Sequence, residues 1–397
     1  MKVFVMSFFA PIKNNPASSV FIDKRLEQMR NNGIDFKVLL FYFIDSFSIR
    51  VIKRILHRSW IDPKQILDES NGILYEKVGI KRSMLSLVTS MLNERYFCDK
   101  YLRKTSEFSL VREFDLILLH GLYSILYGNI AYMLSKRFNK PFVVVLHGSD
   151  VNVLMRKKKE KYKQVLENAH KVIFVSNALL NTAKSFGYSG KNAVVIPNGY
   201  DPSVFYPVNK VKIRKELGLY EENKKYVGYV GNLVYIKRAD KLGEIFAKIA
   251  SKVPNTRFII VGDGILRKKV EEDVKGLDVT FTGFVPQQDV AKYMNAMDVM
   301  ILPSRNEGWP CVVLEAQACG TCVVGSDSGG IPEAIGFKEY VVNEGENFEE
   351  RTANRVVEIL ISGYDSSKFI NRAKDYTWES TVKKEIEVFE EVMKLKA

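Results

Sequence analysis

Short apolar runs recur along the chain, many closed by glycine, proline, serine or asparagine, with longer stretches of mixed polarity between them. In the first half they fall at Lys2 to Phe8, Phe36 to Phe43, Leu116 to Leu119, Phe142 to Leu146, Val172 to Val175 and Ala193 to Ile196. Their length and their β-branched and aromatic content predict strands. The intervening segments read as helices, the first running from Val20 to Asn32 and stopped by Gly33. The second half repeats the plan at Tyr226 to Val230, Phe258 to Val261, Val279 to Phe284, Val299 to Leu302 and Thr321 to Val324. Strands alternating with helices predict an α/β architecture of parallel sheets with helices on both faces. Ligands are then expected at the carboxyl ends of the strands.

A chain of 397 residues is long for one core and predicts two domains. Residues 1–200 carry 31 Lys and Arg against 16 Asp and Glu, and residues 201–397 carry 28 against 30. The net charge of +13 therefore belongs to the first half. Anionic lipid, a lipid pyrophosphate or nucleic acid could each answer that field. No apolar run approaches the roughly 18 residues that cross a bilayer. The opening MKVFVMSFFAP reads as a first strand rather than a signal peptide. Four cysteines fit a reducing cytoplasm. Cys319 and Cys322 form one CxxC with no second pair and no nearby His, so no metal is expected there. No two aspartates stand two apart, which leaves no DxD pair for a divalent ion.

The most informative stretch is Asp298 to Glu333, DVMILPSRNEGWPCVVLEAQACGTCVVGSDSGGIPE. A buried strand at Val299 to Leu302 leads into a loop, and Pro310 suits the first turn of a helix from Cys311 to Ala318. Gly320 closes that helix before the next strand. Such a step presents free backbone N–H groups, here those of Cys311 and Val312, to an anion such as phosphate. Glu307 before the helix and Glu315 within it could accept paired sugar hydroxyls. Two glutamates eight positions apart are also compatible with an ordinary solvated helix face.

Glu307 and Glu315, with the following AQACGTCVV and GGIPE, resemble the signature of the family-4 retaining glycosyltransferases. The resemblance implies the GT-B fold: two Rossmann-like domains facing a cleft, with a last helix that crosses back to the first domain. It places a first, acceptor-binding domain at 1–200 with the crossing helix 377–397, and a nucleotide-sugar domain at 201–376. The segment from Ile196 through Asp201, Phe205 and Pro207 resembles the interdomain connection. The resemblance assigns Glu307 to the transferred sugar and Glu315 to the ribose. LHGSD resembles the first-domain catalytic motif, which makes His147 a sugar contact and leaves Asp150 to orient it or assist the acceptor. His120, ending the preceding strand, could line the same site. The loop at 10–19 carries Ser18 and Ser19 where relatives have glycines near the donor phosphates.

In Gly231-Asn232-Leu233-Val234-Tyr235-Ile236-Lys237-Arg238, Lys237 corresponds to the lysine on the donor diphosphate. Arg238 replaces a frequent glycine and could join it, and Asn232 belongs to the same donor loop. Two cations at a helix start oppose the helix dipole, which itself favours an anion there. Gly262-Asp263-Gly264 lies close to the nucleotide in relatives, and VTFTGF, ending at Phe284, matches the segment whose backbone reads the base. Arg267 stands where a dinucleotide fingerprint needs glycine.

The expected activity is retaining, metal-independent transfer of a sugar from a nucleoside-diphosphate sugar, UDP favoured and GDP possible, to a lipid-linked or polysaccharide acceptor in bacterial surface-glycan synthesis. The catalytic set is His147, Lys237 and Glu307, with no cofactor. A nucleotide-sugar epimerase of the same architecture is the enzymatic alternative. A nucleic-acid-binding module would need a basic and aromatic surface or reader motif, and none is found. The protein is expected to be cytoplasmic and peripherally bound to an anionic membrane through its basic domain. Residues 47–60, FSIRVIKRILHRSW, place Ile49, Ile52, Ile55, Leu56 and Trp60 on one helical arc. Arg50, Lys53, Arg54, His57 and Arg58 fall on the next, the pattern of a basic interfacial helix.

Overall fold

The computed structural model describes residues 1–7, 11–13, 20–55, 63–85, 98, 102 and 106–394. The chain divides into two compact units. One comprises 1–175, 179–196 and 382–397, and the other 176–178 and 197–381.

The first unit is built on an eight-stranded sheet of β1 (Lys2–Ser7), β2 (Asp35–Asp45), β3 (Glu69–Ser70), β4 (Ile73–Arg82), β5 (Leu116–His120), β6 (Phe142–Leu146), β7 (Lys171–Phe174) and β8 (Ala193–Val195), ordered β3-β4-β2-β1-β5-β6-β7-β8. All neighbours are parallel except the β3–β4 hairpin. Every residue of β5 and β6 is buried, because helices cover both faces of a parallel sheet. Each such aliphatic side chain contributes roughly 1.5–3 kcal/mol on leaving water. Val382, Val388, Phe389 and Val392 of the helix Trp378–Lys394 join this core beside Ile22, Leu26 and Met29 of the helix Val20–Asn31. Arg25 and Glu385 pair within it at 2.8 Å, with both side chains wholly buried.

The second unit carries a parallel six-stranded sheet of β9 (Lys225–Val230), β10 (Thr256–Val261), β11 (Val279–Gly283), β12 (Val299–Leu302), β13 (Cys322–Ser326) and β14 (Val341–Val342), ordered β11-β10-β9-β12-β13-β14. Chain order reverses direction at β9, which lies between β10 and β12. At such a switch point the loops leaving adjacent strands part, and a ligand crevice opens between them. In the first sheet β1 holds the same position, between β2 and β5.

The amphipathic segment forms a helix over Phe47–Ile55. Ile49 points inward, and Lys53 is tied at 2.8 Å to the buried Asp45, which Arg82 also contacts at 2.6 Å. The arcs expected from the sequence are therefore corrected. Phe47, Val51, Ile52 and Ile55 are the apolar residues left exposed on this helix, Met84 and Leu85 are exposed beyond β4, and Arg50, Arg54 and Lys81 are the exposed cations of these segments. Leu56, His57, Arg58 and Trp60 lie outside the described residues.

Candidate active site

In the second unit two loops emerge side by side, because β9 and β12 pair in register, Ile301 opposite Tyr229. The loop after β9 turns through a short 3₁₀ segment, Tyr235–Lys237, and the loop after β12 holds Glu307. Arg305 ties them together: its N–H donates to the Ile236 carbonyl at 2.8 Å and its guanidinium grips Asp240 at 2.8 and 2.9 Å. Across this junction Lys237 Nζ lies 2.5 Å from Glu307 Oε1. Two sequence-predicted residues 70 positions apart are thus brought into direct contact.

The GGIPE turn closes over the same loop. A Cβ on Gly329 would collide with the Glu307 carbonyl, and one on Gly330 with the Gly308 carbonyl. Gly329 also holds φ +59°, so glycine is required both for conformation and for space. The Gly330 N–H donates to the Glu307 carbonyl at 2.9 Å, which sets the height of that residue. Gly262 works in the same way against the Gly231 carbonyl, and Asp263 accepts from the Leu233 N–H at 2.8 Å. The Asp263 side chain caps its own turn through the Gly264 N–H at 2.7 Å. Asn232 is exposed beside this turn, and Phe284 is exposed at the end of β11.

Arg238 departs from the sequence expectation of a helix start. It sits at φ +56° between two 3₁₀ turns, and the α-helix begins only at Leu242. A left-handed non-glycine residue costs roughly 1–2 kcal/mol. The offset is visible: Arg238 Nη2 meets both Glu344 oxygens at 2.6 Å, and its guanidinium lies 4.0 Å from the Phe348 ring centroid. Glu344 also accepts from Ser328 Oγ at 3.1 Å. Glu344 and Ser328 were missed from sequence, since an acidic residue in the turn after β14 carries no local signal.

The helix Cys311–Ala318 forms as expected, with Pro310 as its N-cap rather than in its first turn. No side chain caps it, and the Cys311 and Val312 N–H groups lie in the first turn at its positive end. Glu315 follows one turn later. Burial pushes its carboxyl up to about 7, so it changes charge near neutrality. Burial likewise pushes the Cys319 thiol up to about 12, and Cys322 is raised by the same cause. Among the described residues no three His, Cys, Asp or Glu cluster as metal ligands.

In the first unit His147 follows β6 and His120 ends β5. His147 Nε2 lies 3.0 Å from His120 Nδ1, with ring centroids 4.9 Å apart and planes nearly parallel. Asp150 opens a π-helical turn, Asp150–Met155. Its carboxylate is fully buried and accepts from the N–H groups of His147 at 3.0 Å, Gly148 at 2.8 Å and Val151 at 3.0 Å. Asp150 thus anchors the turn that carries His147 rather than presenting a carboxylate to an acceptor. Ser18 and Ser19 lie outside the described residues.

Two family models match the chain: "Glycosyltransferase Family 4" over residues 75–204 and "Glycosyl transferases group 1" over residues 224–362. TuaC of Bacillus subtilis, named as a teichuronic acid biosynthesis glycosyltransferase, is 28% identical over 86% of this chain and 85% of its own. N-acetyl-alpha-D-glucosaminyl L-malate synthase of Bacillus anthracis is 28% identical over 67% of this chain and 71% of its own. The solved structure of Anabaena HepE in complex with UDP superposes with a TM-score of 0.72 at 18% identity, covering 98% of this chain and 100% of that one. The paired sheets, the loops they carry and these matches agree, and the chain belongs to the family-4 glycosyltransferases of GT-B fold, on the branch related to bacterial surface-glycan enzymes.

Proposed function

We propose that this glycosyltransferase moves a sugar, with retention, from a nucleoside-diphosphate sugar to a lipid-linked or polysaccharide acceptor of a bacterial surface glycan. The observation that carries the reading is the Lys237–Glu307 pair at the carboxyl ends of β9 and β12. Lys237 supplies a point charge to the leaving diphosphate, helped by Arg238 and by the Cys311 and Val312 N–H groups. Glu307 is assigned to the transferred sugar and Glu315 to the ribose hydroxyls, and the family resemblance makes His147 a sugar contact from the first unit. Asn232, the Gly262-Asp263-Gly264 turn and Phe284 complete the nucleotide side. The acceptor hydroxyl attacks from the leaving-group face and gives its proton to the departing phosphate. No side chain serves as a covalent nucleophile, and neither metal nor cofactor is used. UDP is favoured as the nucleotide, in keeping with the ligand of HepE, and residues 1–200 are assigned to the acceptor.

The acceptor is reached at a membrane. No described helix is long and apolar enough to cross one. The exposed face of Phe47, Val51, Ile52 and Ile55, beside Arg50, Arg54 and Lys81, suits peripheral docking on anionic lipid at the cytoplasmic face. Incubating the pure protein with UDP- and GDP-sugars, with and without lipid acceptor and with chelator, tests the proposal. Nucleotide release that requires the acceptor and survives chelation is expected. Interconversion of nucleotide sugars without acceptor would instead mark an epimerase.

A further inference from the structure

His120 and His147 arrive from separate strands, yet their meeting is tightly specified. β5 and β6 pair with His120 opposite Val145, so the end of β5 lies beside the residue that follows β6. His120 is wholly buried. Its ring lies nearly parallel to that of His147, with 18° between planes, and the nitrogens facing each other are 3.0 Å apart. Phe21 closes the set, 4.8 Å from the His147 ring and 6.4 Å from that of His120. The helix bearing Phe21 also bears Arg25, whose charge is compensated by Glu385 in the core. Burial and the nearby Arg25 hold both imidazoles well below their ordinary pKa, His120 being lowered by His147 as well.

A neutral imidazole has one N–H and one bare nitrogen. A contact of 3.0 Å between two such rings requires one to donate and the other to accept. The pairing therefore admits two states, His120 Nδ1–H donating to His147 Nε2 or the reverse, and in each the remaining nitrogen of His147 is tied to the tautomer of His120.

We propose that His120 is a positioning residue, which holds the ring orientation of His147 and couples the two tautomers through the Nδ1 to Nε2 hydrogen bond. The inference rests on the reading of His147 as the sugar contact and deepens it. His120 then acts on turnover without touching substrate, and Phe21 limits rotation of the pair.

Three variants in the full chain test it: H120F keeps a ring without nitrogens, H120N keeps a hydrogen-bonding group near the Nδ1 position, and H147F removes the contact. H120F is expected to lower kcat about 10- to 100-fold, the scale of a misplaced contact, with Kd for nucleoside diphosphate within about twofold. H120N is expected to recover much of the loss. In ¹⁵N spectra of the imidazoles, with His147 assigned by its absence from H147F, the neutral tautomer populations of His147 are expected to change between the wild type and H120F. An unchanged His147 spectrum in folded H120F would overturn the pairing, as would failure of H120N to restore it. Full turnover of H147F would instead overturn the sugar-contact reading and the kinetic consequence with it. The spectra would still report whether the rings are coupled.

Discussion

Lys237 Nζ and Glu307 Oε1 sit 2.5 Å apart on loops from adjacent parallel strands, both side chains largely withdrawn from water. In that state each charge neutralises the other. On the proposed function, a donor that brings its own diphosphate and sugar hydroxyls would offer both groups new partners.

Lys237→Ala is accordingly expected to weaken nucleoside-diphosphate binding by about 1.5–3 kcal/mol, the range for hydrogen bonds to charged groups, and to lower kcat further as charge grows on the leaving group. Glu307→Gln is expected to spare nucleotide binding and reduce turnover. Calorimetric titration and steady-state kinetics separate the two. Parallel loss of binding in both variants would make the ion pair a fold element.

Glu315 is expected to impose a pH dependence. Its carboxyl titrates at about 7 when folded, because burial disfavours the charged form, against about 4.3 in an unfolded chain. The folded-state value is the higher one, so the unfolded chain binds fewer protons between these values. Stability from this group is full below about pH 4 and is lost as pH rises through 7. Glu315→Gln removes that loss, so its melting temperature is expected to gain on the wild type from pH 5 to pH 7.5 and then level off. Nucleotide affinity is expected to run the other way, strengthening from pH 6 to 8 in the wild type alone, as the ionised carboxylate accepts ribose hydroxyls. A flat difference in thermal melts across that range would refute the assignment.

Asp150→Ala leaves the N–H groups of His147, Gly148 and Val151 without their acceptor, the last two of them buried. An unsatisfied buried donor costs roughly 1–3 kcal/mol, so the variant is expected to lose stability on that order in urea. Turnover is expected to fall more than nucleotide affinity, because the disturbed turn is the one that carries His147. Equal stability of the variant would show that water replaces the carboxylate.

Replacing Ile52 and Ile55 by serine removes exposed apolar surface, since neither side chain belongs to the buried core. The double variant is expected to sediment less with anionic vesicles at low salt, while activity on a water-soluble acceptor is retained. Binding equal to wild type would move the docking surface elsewhere on the basic half.

Local pattern determined much of this. Strand and helix periods, and the glycines and prolines between them, repeat within a few residues, and they made the parallel α/β plan and the GT-B family legible. The motif residues Lys237, Glu307 and His147 stood out for the same reason: their neighbours in the chain mark them.

What only the tertiary structure decided involves partners distant in sequence. Arg238 takes a left-handed backbone that its own segment disfavours, because Glu344, 106 positions away, and Phe348 hold its guanidinium. Lys53 belonged by periodicity to a basic arc, yet it answers Asp45, whose carboxylate is buried by the packing of β2 and β4. The pairing of His120 with His147 depends on the register of two parallel strands, and a parallel register is set across the sheet rather than along the chain. Hydrophobic period is a property of each segment, whereas charge compensation and hydrogen-bond satisfaction belong to pairs, and a pair exists only once folding has brought its members together.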